Sequence, residues 1–458
     1  MLEVTALLSS VLSALNAALW GPPMLAAFLG TGVYLSFRTG WFQLTGLPVW
    51  LRATLLQPRS RQRTAADGAI SPFGALNAAL SACLGTGNIV GVATALCAGG
   101  PGTVLWMLLS AVPGMMTCCC ETMLGVEYRT RDAQGRYHGG PTEYLTYGLG
   151  RPRLAKLYAL FLVGASFGMG NMTQANAVAQ GLAGFGIPAW GSALLLLPPL
   201  TVLLAGGLQR ITALAERLIL ALTVGFAAAC LWIIFLHRAA LPGSLRMIAR
   251  EAFTLRAAGG YGLAKAARWG IARGVFSNEA GLGSNALIHA GAHCDHPGAQ
   301  GMWGILEVGI DTVVMCTLTA LALLTSGVWR PDAPLAGADL CAAAFETAFG
   351  RAGGVLLTGS LCLFAFATLN AWSYYGRRGA QTLAGRRGAR WFPPLYLAAA
   401  AAGCLLRLEP VWAISDLFNG LMALPNLYAL WRLAPRAATL LREYRREIKQ
   451  PGPKTRKF

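Results

Sequence analysis

The sequence predicts an all-α protein that crosses a membrane many times. Hydrophobic residues make up 55% of its 458 residues, charged residues only 12%, and the mean hydropathy is +0.51. A soluble domain carries roughly a quarter charged residues. Long apolar runs recur along the chain, most of them close to the roughly 20 residues that a helix needs to cross the hydrocarbon layer. The expected environment is therefore a lipid bilayer.

The charge distribution supports the same fold class. The formal net charge is +18, which in a soluble protein would suggest a nucleic-acid partner. Here the basic residues lie in short segments between apolar runs and at the C-terminal end, as Lys and Arg do on the cytoplasmic side of membrane proteins. Because no folded basic domain is apparent, we expect no nucleic-acid binding. We expect a multi-pass protein of the plasma (inner) membrane.

Apolar segments divide the chain into about eleven expected spans. They lie near residues 19–37, 70–98, 103–127, 155–181, 190–207, 213–236, 261–292, 301–328, 340–374, 391–406 and 411–431. Basic loops after alternate spans place the N-terminus outside and the C-terminus in the cytoplasm. The segment 238–260 is basic although this arrangement puts it outside, and we expect it to form an amphipathic surface helix.

Two of these spans contain stretches that do not suit a continuous membrane helix. Residues 85–91 read GTGNIVG, and residues 273–284 read RGVFSNEAGLGS. Glycines at membrane depth let a helix break, and the freed backbone groups then need ions, substrate or water. Ionisable groups there are costly and usually line a cavity or a pathway. Two interrupted segments in corresponding halves of a chain indicate a transporter binding site.

The positions of the two stretches indicate an internal duplication. The first opens a set of five spans, residues 70–236, and the second opens another set, residues 261–431. An odd number of spans in each set inverts the second copy across the membrane, as in many secondary transporters. We therefore expect one transmembrane domain over residues 1–432, with one extra N-terminal helix, and a basic cytoplasmic tail over residues 433–458.

The side chains of the two stretches suit a zwitterionic substrate. A helix that restarts at Asn88 would present free N–H groups and the positive end of its dipole to a carboxylate. A break over residues 277–281 would offer carbonyl groups and the Glu279 carboxylate to an ammonium group or to Na⁺. We expect functional roles for Asn88, Asn278 and Glu279, whereas close helix packing is an equal alternative for Gly281.

Other residues allow two interpretations. Gln174 either lines the cavity or bonds across helices, and Trp372 either caps a small pocket or packs in the interior. The set His289, His293, Cys294 and His296 has the spacing of metal ligands, but its position at a span end favours a loop-capping role. No catalytic triad, phosphate loop or pair of catalytic acids emerges, so we do not expect an enzyme. The sequence contains no indication of the oligomeric state.

Several of these motifs resemble those of the alanine or glycine:cation symporter family. The runs 85–93 and 99–102 are similar to the first signature of that family, and the run 273–284 is similar to the second. Shorter matches extend the resemblance over nearly the whole chain, from about residue 15 to residue 432. They are Gly139-Gly140-Pro141, Gln174 with Asn176, His289, His296-Pro297, Asp311-Thr312, Asn419-Gly420-Leu421-Met422 and Pro425-Asn426-Leu427.

The resemblance implies a fold and a function. The implied fold is of the leucine-transporter (LeuT) type, a five-plus-five inverted-repeat core with one extra N-terminal helix. The implied function is import of a small neutral amino acid, alanine or glycine, together with Na⁺ or sometimes H⁺. The substrate would lie between the two broken stretches, in contact with Thr86, Gly87, Asn88, Gln174, Ser277, Asn278, Glu279, Gly281 and Trp372.

The coupling ion expected from the resemblance is Na⁺, with Thr86 and Thr368 as ligands. One position departs from the family pattern, since Ala367 stands where a hydroxyl residue is expected. Coupling to H⁺ through a protonatable carboxyl group such as Glu279 is therefore the alternative. A non-transporting amino-acid sensor on the same scaffold is a further one.

Overall fold

A computed structural model describes residues 12, 14–56, 69–132, 135–205, 207–255, 262–331, 335–406 and 408–449, and these residues are almost entirely helical. In chain order the α-helices are α1 (Pro22–Arg38), α2 (Phe42–Thr45), α3 (Leu47–Thr54), α4 (Pro72–Cys83), α5 (Val92–Gly99), α6 (Gly102–Glu127), α7 (Pro141–Glu143), α8 (Pro152–Phe167), α9 (Thr173–Ala183), α10 (Ala189–Leu204), α11 (Gly207–Leu236), α12 (Leu241–Glu251), α13 (Leu263–Asn278), α14 (Ser284–His289), α15 (Pro297–Val308), α16 (Thr317–Thr325), α17 (Gly337–Phe349), α18 (Arg351–Leu405) and α19 (Leu408–Lys449). Four wider, π-helical segments adjoin them, Gly87–Gly91, Tyr144–Gly148, Gly168–Met172 and Gly309–Cys316.

Long apolar helices dominate the described part of the chain. By length and composition six of them can cross a membrane, or seven if one bent pair is counted as a span. They are Ala14–Arg38, Gly102–Glu127, Pro152–Ala183, Ile211–Leu236, Pro297–Thr325 and Arg351–Leu405, with Pro72–Cys83 and Gly87–Gly99 as the bent pair. The predicted class, an all-α protein with several membrane-spanning helices, agrees with this architecture.

The expected ninth span, residues 340–374, is wrong in its boundaries. The chain turns at Gly350, where φ is 57°, so that α17 ends one residue earlier and α18 begins one residue later. A positive φ is a conformation that glycine adopts without a steric penalty. The apolar pattern runs through this turn, because the helices on both sides are apolar, and hydropathy alone therefore could not locate it. A second departure from helical geometry, at Ala384 and Gly385, bends α18.

The basic segment 238–260 forms the expected surface helix where it is described. This helix, α12, buries Ser244 and Ile248, whereas Leu245 and Met247 are exposed. The indole N–H of Trp106 on α6 donates to the Ala252 carbonyl at 3.0 Å and fixes the end of the helix.

Helix α6 lies at the centre of the bundle and packs against α1, α13, α14 and α15. Small residues allow α15 to approach closely. A Cβ at Gly301 would lie 2.6 Å from the Met123 side chain, and one at Gly304 would lie 2.9 Å from the hydroxyl of Thr122. The triplet Cys118-Cys119-Cys120 is fully buried in this region with free thiols, as a packing role requires.

The tail beyond residue 432 continues the last helix to Lys449. The Arg436 guanidinium pairs with Glu127 at the end of α6, and the Tyr444 ring stacks on His296 at the start of α15, with centroids 5.5 Å apart. Residues 450–458 of the expected tail lie outside the described part of the chain.

Candidate functional site

The first predicted break is present between α4 and α5. Helix α4 ends at Cys83, helical structure resumes in the π-helical segment that begins at Gly87, and the two parts are bent by 54°. The restart therefore lies slightly before Asn88, the expected position. A Cβ at Gly85 would lie 2.8 Å from the Thr368 hydroxyl, so only glycine lets α18 come this close.

The second predicted break is also present, but it begins later than expected. Helix α13 continues through Ser277 and Asn278, and the irregular segment covers residues 279–283 instead of 277–281. Glu279, Gly281 and Gly283 all have positive φ, of 56°, 96° and 78°. For Glu279 this conformation is unfavourable, so contacts of its side chain must hold it in place.

Both oxygens of Glu279 accept hydrogen bonds. The Ser284 hydroxyl donates to Oε2 at 2.5 Å, and the Trp372 indole N–H donates to Oε1 at 3.1 Å. Trp372 is fully buried, and a Cβ at Gly170 would lie 2.3 Å from its Cβ. Trp372 therefore lies in the packed interior and holds the carboxylate that ends α13.

The two broken helices meet at Asp311, in the π-helical segment Gly309–Cys316 that follows α15. Asn88 donates from Nδ2 to Asp311 Oδ1 at 2.7 Å and to its backbone oxygen at 3.1 Å. The hydroxyls of Ser277 and Thr312 donate to Oδ2 at 2.9 and 2.8 Å. Asn88, just after the first break, and Ser277, just before the second, thus donate to the same carboxylate. The predicted proximity of the two stretches agrees with this arrangement.

The second amide near this carboxylate organises the start of the irregular segment. Asn278 Nδ2 donates to the Thr312 hydroxyl at 3.0 Å, and its Oδ1 accepts the N–H of Ala280 at 3.0 Å. The carbonyl of Asn278 accepts a hydrogen bond from Asn285 at 3.2 Å. These bonds connect the end of α13 to α14 and to the π-helical segment.

Three other predicted site residues surround Gly85. The Thr86 hydroxyl donates to Gln174 Oε1 at 3.3 Å, and Gln174 Nε2 donates to the Met169 carbonyl at 3.1 Å. The Thr368 hydroxyl donates to the Ser81 carbonyl at 2.9 Å. The residues expected as Na⁺ ligands are thus grouped on one side of the first break.

The four His and Cys residues with metal-ligand spacing do not assemble a metal site. No group of three or more His, Cys, Asp or Glu side chains that could hold a metal occurs in the described residues. His296 has the expected capping role, since its Nδ1 accepts the Gly298 N–H at 2.9 Å at the start of α15. His289 does not, because it is fully buried on α14 and its Nε2 lies 2.9 Å from Glu307 Oε2.

Sequence reasoning assigned no role to three buried carboxyl groups, Glu121, Glu307 and Asp311. Each lies inside an apolar span and is fully buried. A carboxyl group inside an apolar span is itself a signal for function. With Glu279, four carboxyl groups of the described residues are fully buried. Among the described residues, the basic side chain that lies close to one of them is His289, whose Nε2 is 2.9 Å from Glu307 Oε2. In membrane proteins, buried carboxyl groups of this kind are typical of substrate, ion and proton pathways.

Most of the candidate site is buried. The exposed fractions are 2% or less at Asn88, Gln174 and Asn278, whereas Gly87, where helical structure resumes after the first break, is partly exposed. The polar side chains next to the two breaks are bonded to a shared carboxylate, so a ligand that enters between them must replace these bonds.

The sequence matches the profile of the sodium:alanine symporter family over residues 5–458. The chain belongs to this family. The earlier resemblance is thereby confirmed, and the chain is a multi-pass transporter of the sodium:alanine symporter family.

Relatives within the family match over most of their length. AgcS of Methanococcus maripaludis, a sodium/alanine symporter, is 38% identical over 432 residues, which cover 93% of this chain and 94% of the relative. GlnT of Bacillus subtilis, a probable sodium/glutamine symporter, is 32% identical over 446 residues, which cover 97% and 92%. Among solved structures, a manganese transporter of Eremococcus coleocola aligns with a TM-score of 0.47 and 16% identity over 82% of this chain and 76% of that chain.

Proposed function

We propose that this protein is a secondary symporter that imports a small neutral amino acid, alanine or glycine, together with Na⁺. The observation that carries the proposal is the meeting of two broken helices at one buried carboxylate, Asp311. Membership of the sodium:alanine symporter family supports the coupling ion. The relative AgcS is named a sodium/alanine symporter, which favours alanine over the glutamine named for GlnT.

The proposed architecture is a LeuT-type core of two inverted five-span repeats, preceded by one extra helix, with eleven spans in all. The repeats cover residues 70–236 and 261–431 within a transmembrane domain of residues 1–432, and the tail covers 433–458. Both broken helices open a repeat, which supports this division. The distribution of basic loops favours an outside N-terminus and a cytoplasmic C-terminus.

The substrate would lie between the breaks and replace contacts that now join them. Its carboxylate suits the amide groups near Gly87 and Asn88 at the first break. Its ammonium group suits the Asp311 carboxylate, with Ser277 and the carbonyls of the second break beside it. A hydrogen bond to a charged group contributes about 1.5–3 kcal/mol, so a ligand that replaces such bonds changes how readily the two breaks separate.

Na⁺ would lie beside the first break. The hydroxyl oxygens of Thr86 and Thr368 and nearby carbonyls are hard ligands of the kind such cations prefer. Their grouping around Gly85 links the ion to the geometry of the first break. Ala367 adjoins this site without an oxygen to offer, so Ala367→Ser should lower the Na⁺ concentration for half-maximal uptake. An unchanged value would show that position 367 does not contact the ion.

The proposal is tested with purified protein in proteoliposomes. Exchange of labelled alanine in the absence of any gradient separates a transporter from an amino-acid sensor, which would bind without exchange. Na⁺ and H⁺ gradients are then imposed singly at fixed membrane potential, with alanine, glycine and glutamine as substrates. The expected result is stimulation by an inward Na⁺ gradient and preference for alanine or glycine. Stimulation by H⁺ alone would refute Na⁺ coupling.

A further inference from the structure

Glu121 on α6 has an unusual environment beside the second break. It is fully buried, and its Oε1 accepts hydrogen bonds from the Gly281 N–H at 3.0 Å and from Asn426 Nδ2 at 2.5 Å. Its Oε2 is buried and has no hydrogen-bond donor among the described residues. The Gly283 N–H lies near the same carboxyl group without forming a hydrogen bond to Oε2.

The other three fully buried carboxyl groups differ from Glu121 in this respect. Both oxygens of Asp311 and both oxygens of Glu279 accept hydrogen bonds. On Glu307, Oε2 is within hydrogen-bond distance of His289 Nε2, and Oε1 accepts a hydrogen bond from the Cys83 thiol. Among these four groups, Glu121 is the one with an oxygen that accepts nothing from the described residues.

This asymmetry is the pattern of a carboxylic acid. An ionised carboxylate only accepts hydrogen bonds, and both of its oxygens need donors. A buried charge without partners costs several kcal/mol. A protonated group has one carbonyl oxygen, which accepts, and one hydroxyl oxygen, which donates. Oε1 of Glu121 fits the carbonyl oxygen. Oε2 has no partner among the described residues, and an unpaired neutral hydroxyl at this position costs less free energy than an unpaired buried charge.

The groups that face Glu121 from neighbouring elements supply no positive charge. They are Glu307 on α15, Tyr144 in the π-helical segment after α7, Tyr158 on α8, and Cys118 and Cys120 on α6 itself. All are acidic or neutral. A negative charge on Glu121 would therefore have no counter-ion in the described residues, and a bound proton removes that charge.

We propose that Glu121 is a proton-binding site, and that its proton is taken up and released during each transport cycle. This inference rests on the proposed transport function. The carboxylate takes one H⁺ from water on one side of the membrane, and the acid gives it back on the other side after the helices have moved. No other bond is made or broken.

The hydrogen bonds of Glu121 explain how its proton acts on the substrate site. Glu121 accepts the Gly281 N–H directly. It also accepts from Asn426, whose Nδ2 donates to the Gly281 carbonyl as well, at 2.9 Å. Asn426 is held in turn by the Tyr144 hydroxyl. Loss of the proton strengthens the bonds that Glu121 accepts, and so changes the segment 279–283 that ends α13. Substrate and proton thereby act on the same irregular segment.

The variant Glu121→Gln tests the proposal, because an amide keeps the acceptor oxygen and cannot release a proton. Gradient-free alanine exchange is measured first, followed by alanine uptake under an inward H⁺ gradient at fixed Na⁺, with a pH-sensitive dye in the lumen. Wild-type protein should show faster uptake and alanine-dependent acidification. Glu121→Gln should exchange alanine and lose both proton signals. Glu346→Gln makes the same change on an exposed residue and should keep both.

Two results would overturn the proton site. One is a Glu121→Gln protein that retains proton-driven uptake. The other is a wild-type protein that exchanges alanine normally but moves no protons. Absence of exchange by the wild type would instead overturn the transport function, so the two failures are distinguishable.

A chemical label covers the case in which Glu121→Gln does not fold. A hydrophobic carbodiimide reacts with protonated buried carboxyl groups, and wild-type protein is labelled across a range of pH. Mass spectrometry should find Glu121 labelled at neutral pH and progressively less so in alkaline solution. Labelling that is absent at every pH, or that responds to Na⁺ and not to pH, would contradict the proposal and in the second case indicate a sodium site.

Discussion

The side-chain amide of Asn88 lies 2.7 Å from the carboxylate of Asp311, and this bond connects two residues that are 223 positions apart in the chain. It joins the first broken helix to the π-helical segment Gly309–Cys316, and the Asp311 carboxylate of this segment also accepts the Ser277 hydroxyl of α13. A single carboxylate thus connects the first broken helix, through Asn88, with the second, through Ser277. A ligand that enters between the halves must compete with these bonds.

Replacement of Asp311 by asparagine should impair transport more than folding. The amide preserves shape and one acceptor oxygen, but it removes the negative charge that we assign to the substrate ammonium group. With about 1.5–3 kcal/mol for a hydrogen bond to a charged group, exchange at low alanine concentration should fall about ten- to a hundredfold. The control Asp339→Asn makes the same change on an exposed residue of α17. Equal exchange by Asp311→Asn and wild type would remove Asp311 from the site.

A methyl group at Gly85 should disturb the ion site. A Cβ there would lie 2.8 Å from the Thr368 hydroxyl and 3.3 Å from Gln174 Oε1. Overpacking of this kind costs about 1–3 kcal/mol, so Gly85→Ala should raise the Na⁺ concentration for half-maximal uptake several-fold. In Gly91→Ala the new Cβ would meet only the Thr86 carbonyl, at 3.8 Å, and Na⁺ dependence should be retained. A similar Na⁺ dependence in both variants would show that Gly85 does not adjoin the ion site.

Removal of His289 should destabilise the protein strongly. Its Nε2 pairs with Glu307, and its Nδ1 lies 2.8 Å from Gln300 Nε2, all fully buried. A buried polar group that loses its hydrogen-bond partner costs about 1–3 kcal/mol, and more if it is charged. His289→Ala should therefore have a much lower melting temperature in detergent, and Glu307→Gln should be milder because its amide oxygen still accepts from His289. The partly exposed His237, replaced by alanine, provides the control; a melting temperature for His289→Ala that matches it would show that the buried pair contributes little.

The loop between α6 and α8 should respond to mild acid through His138. Burial, followed by the positive charge of Arg378, lowers the pKa of His138 from its ordinary value, despite its contact with Asp132 at 2.8 Å. Burial opposes ionisation of Asp132, but hydrogen bonds from His138 and Arg136 outweigh it and lower the pKa of Asp132.

The sign of this effect follows from linkage. Because the folded state holds the His138 proton less tightly than the unfolded state, its contribution to stability is present above about pH 6.5 and is lost as the pH falls through the lowered pKa. The hairpin of β1 (Thr130–Arg131) and β2 (Tyr137–His138) should therefore exchange its amide hydrogens faster at pH 5 than at pH 7.5, after correction for intrinsic rates. His138→Gln should abolish the difference, and a difference that persists in this variant would assign it to another group.

Local composition was enough to predict much of the fold. The share of apolar residues predicted the membrane class, and the glycines and polar residues of 85–91 and 273–284 predicted where two helices break. These properties depend on short stretches of chain, because a helix in hydrocarbon needs about 20 apolar residues and an interruption needs glycine or polar partners nearby. The turn at Gly350 was missed because apolar residues continue on both sides of it.

The partners of the buried polar groups depended on the tertiary structure. The sequence singled out Asn88 and Glu279, but neither the bond from Asn88 to Asp311 nor that from Trp372 to Glu279 follows from spacing. Glu121 shows the same limit, because its contact with Gly281 spans 160 residues. Hydropathy specifies that a helix is buried, whereas the rotation and depth at which helices pack decide which polar groups face one another.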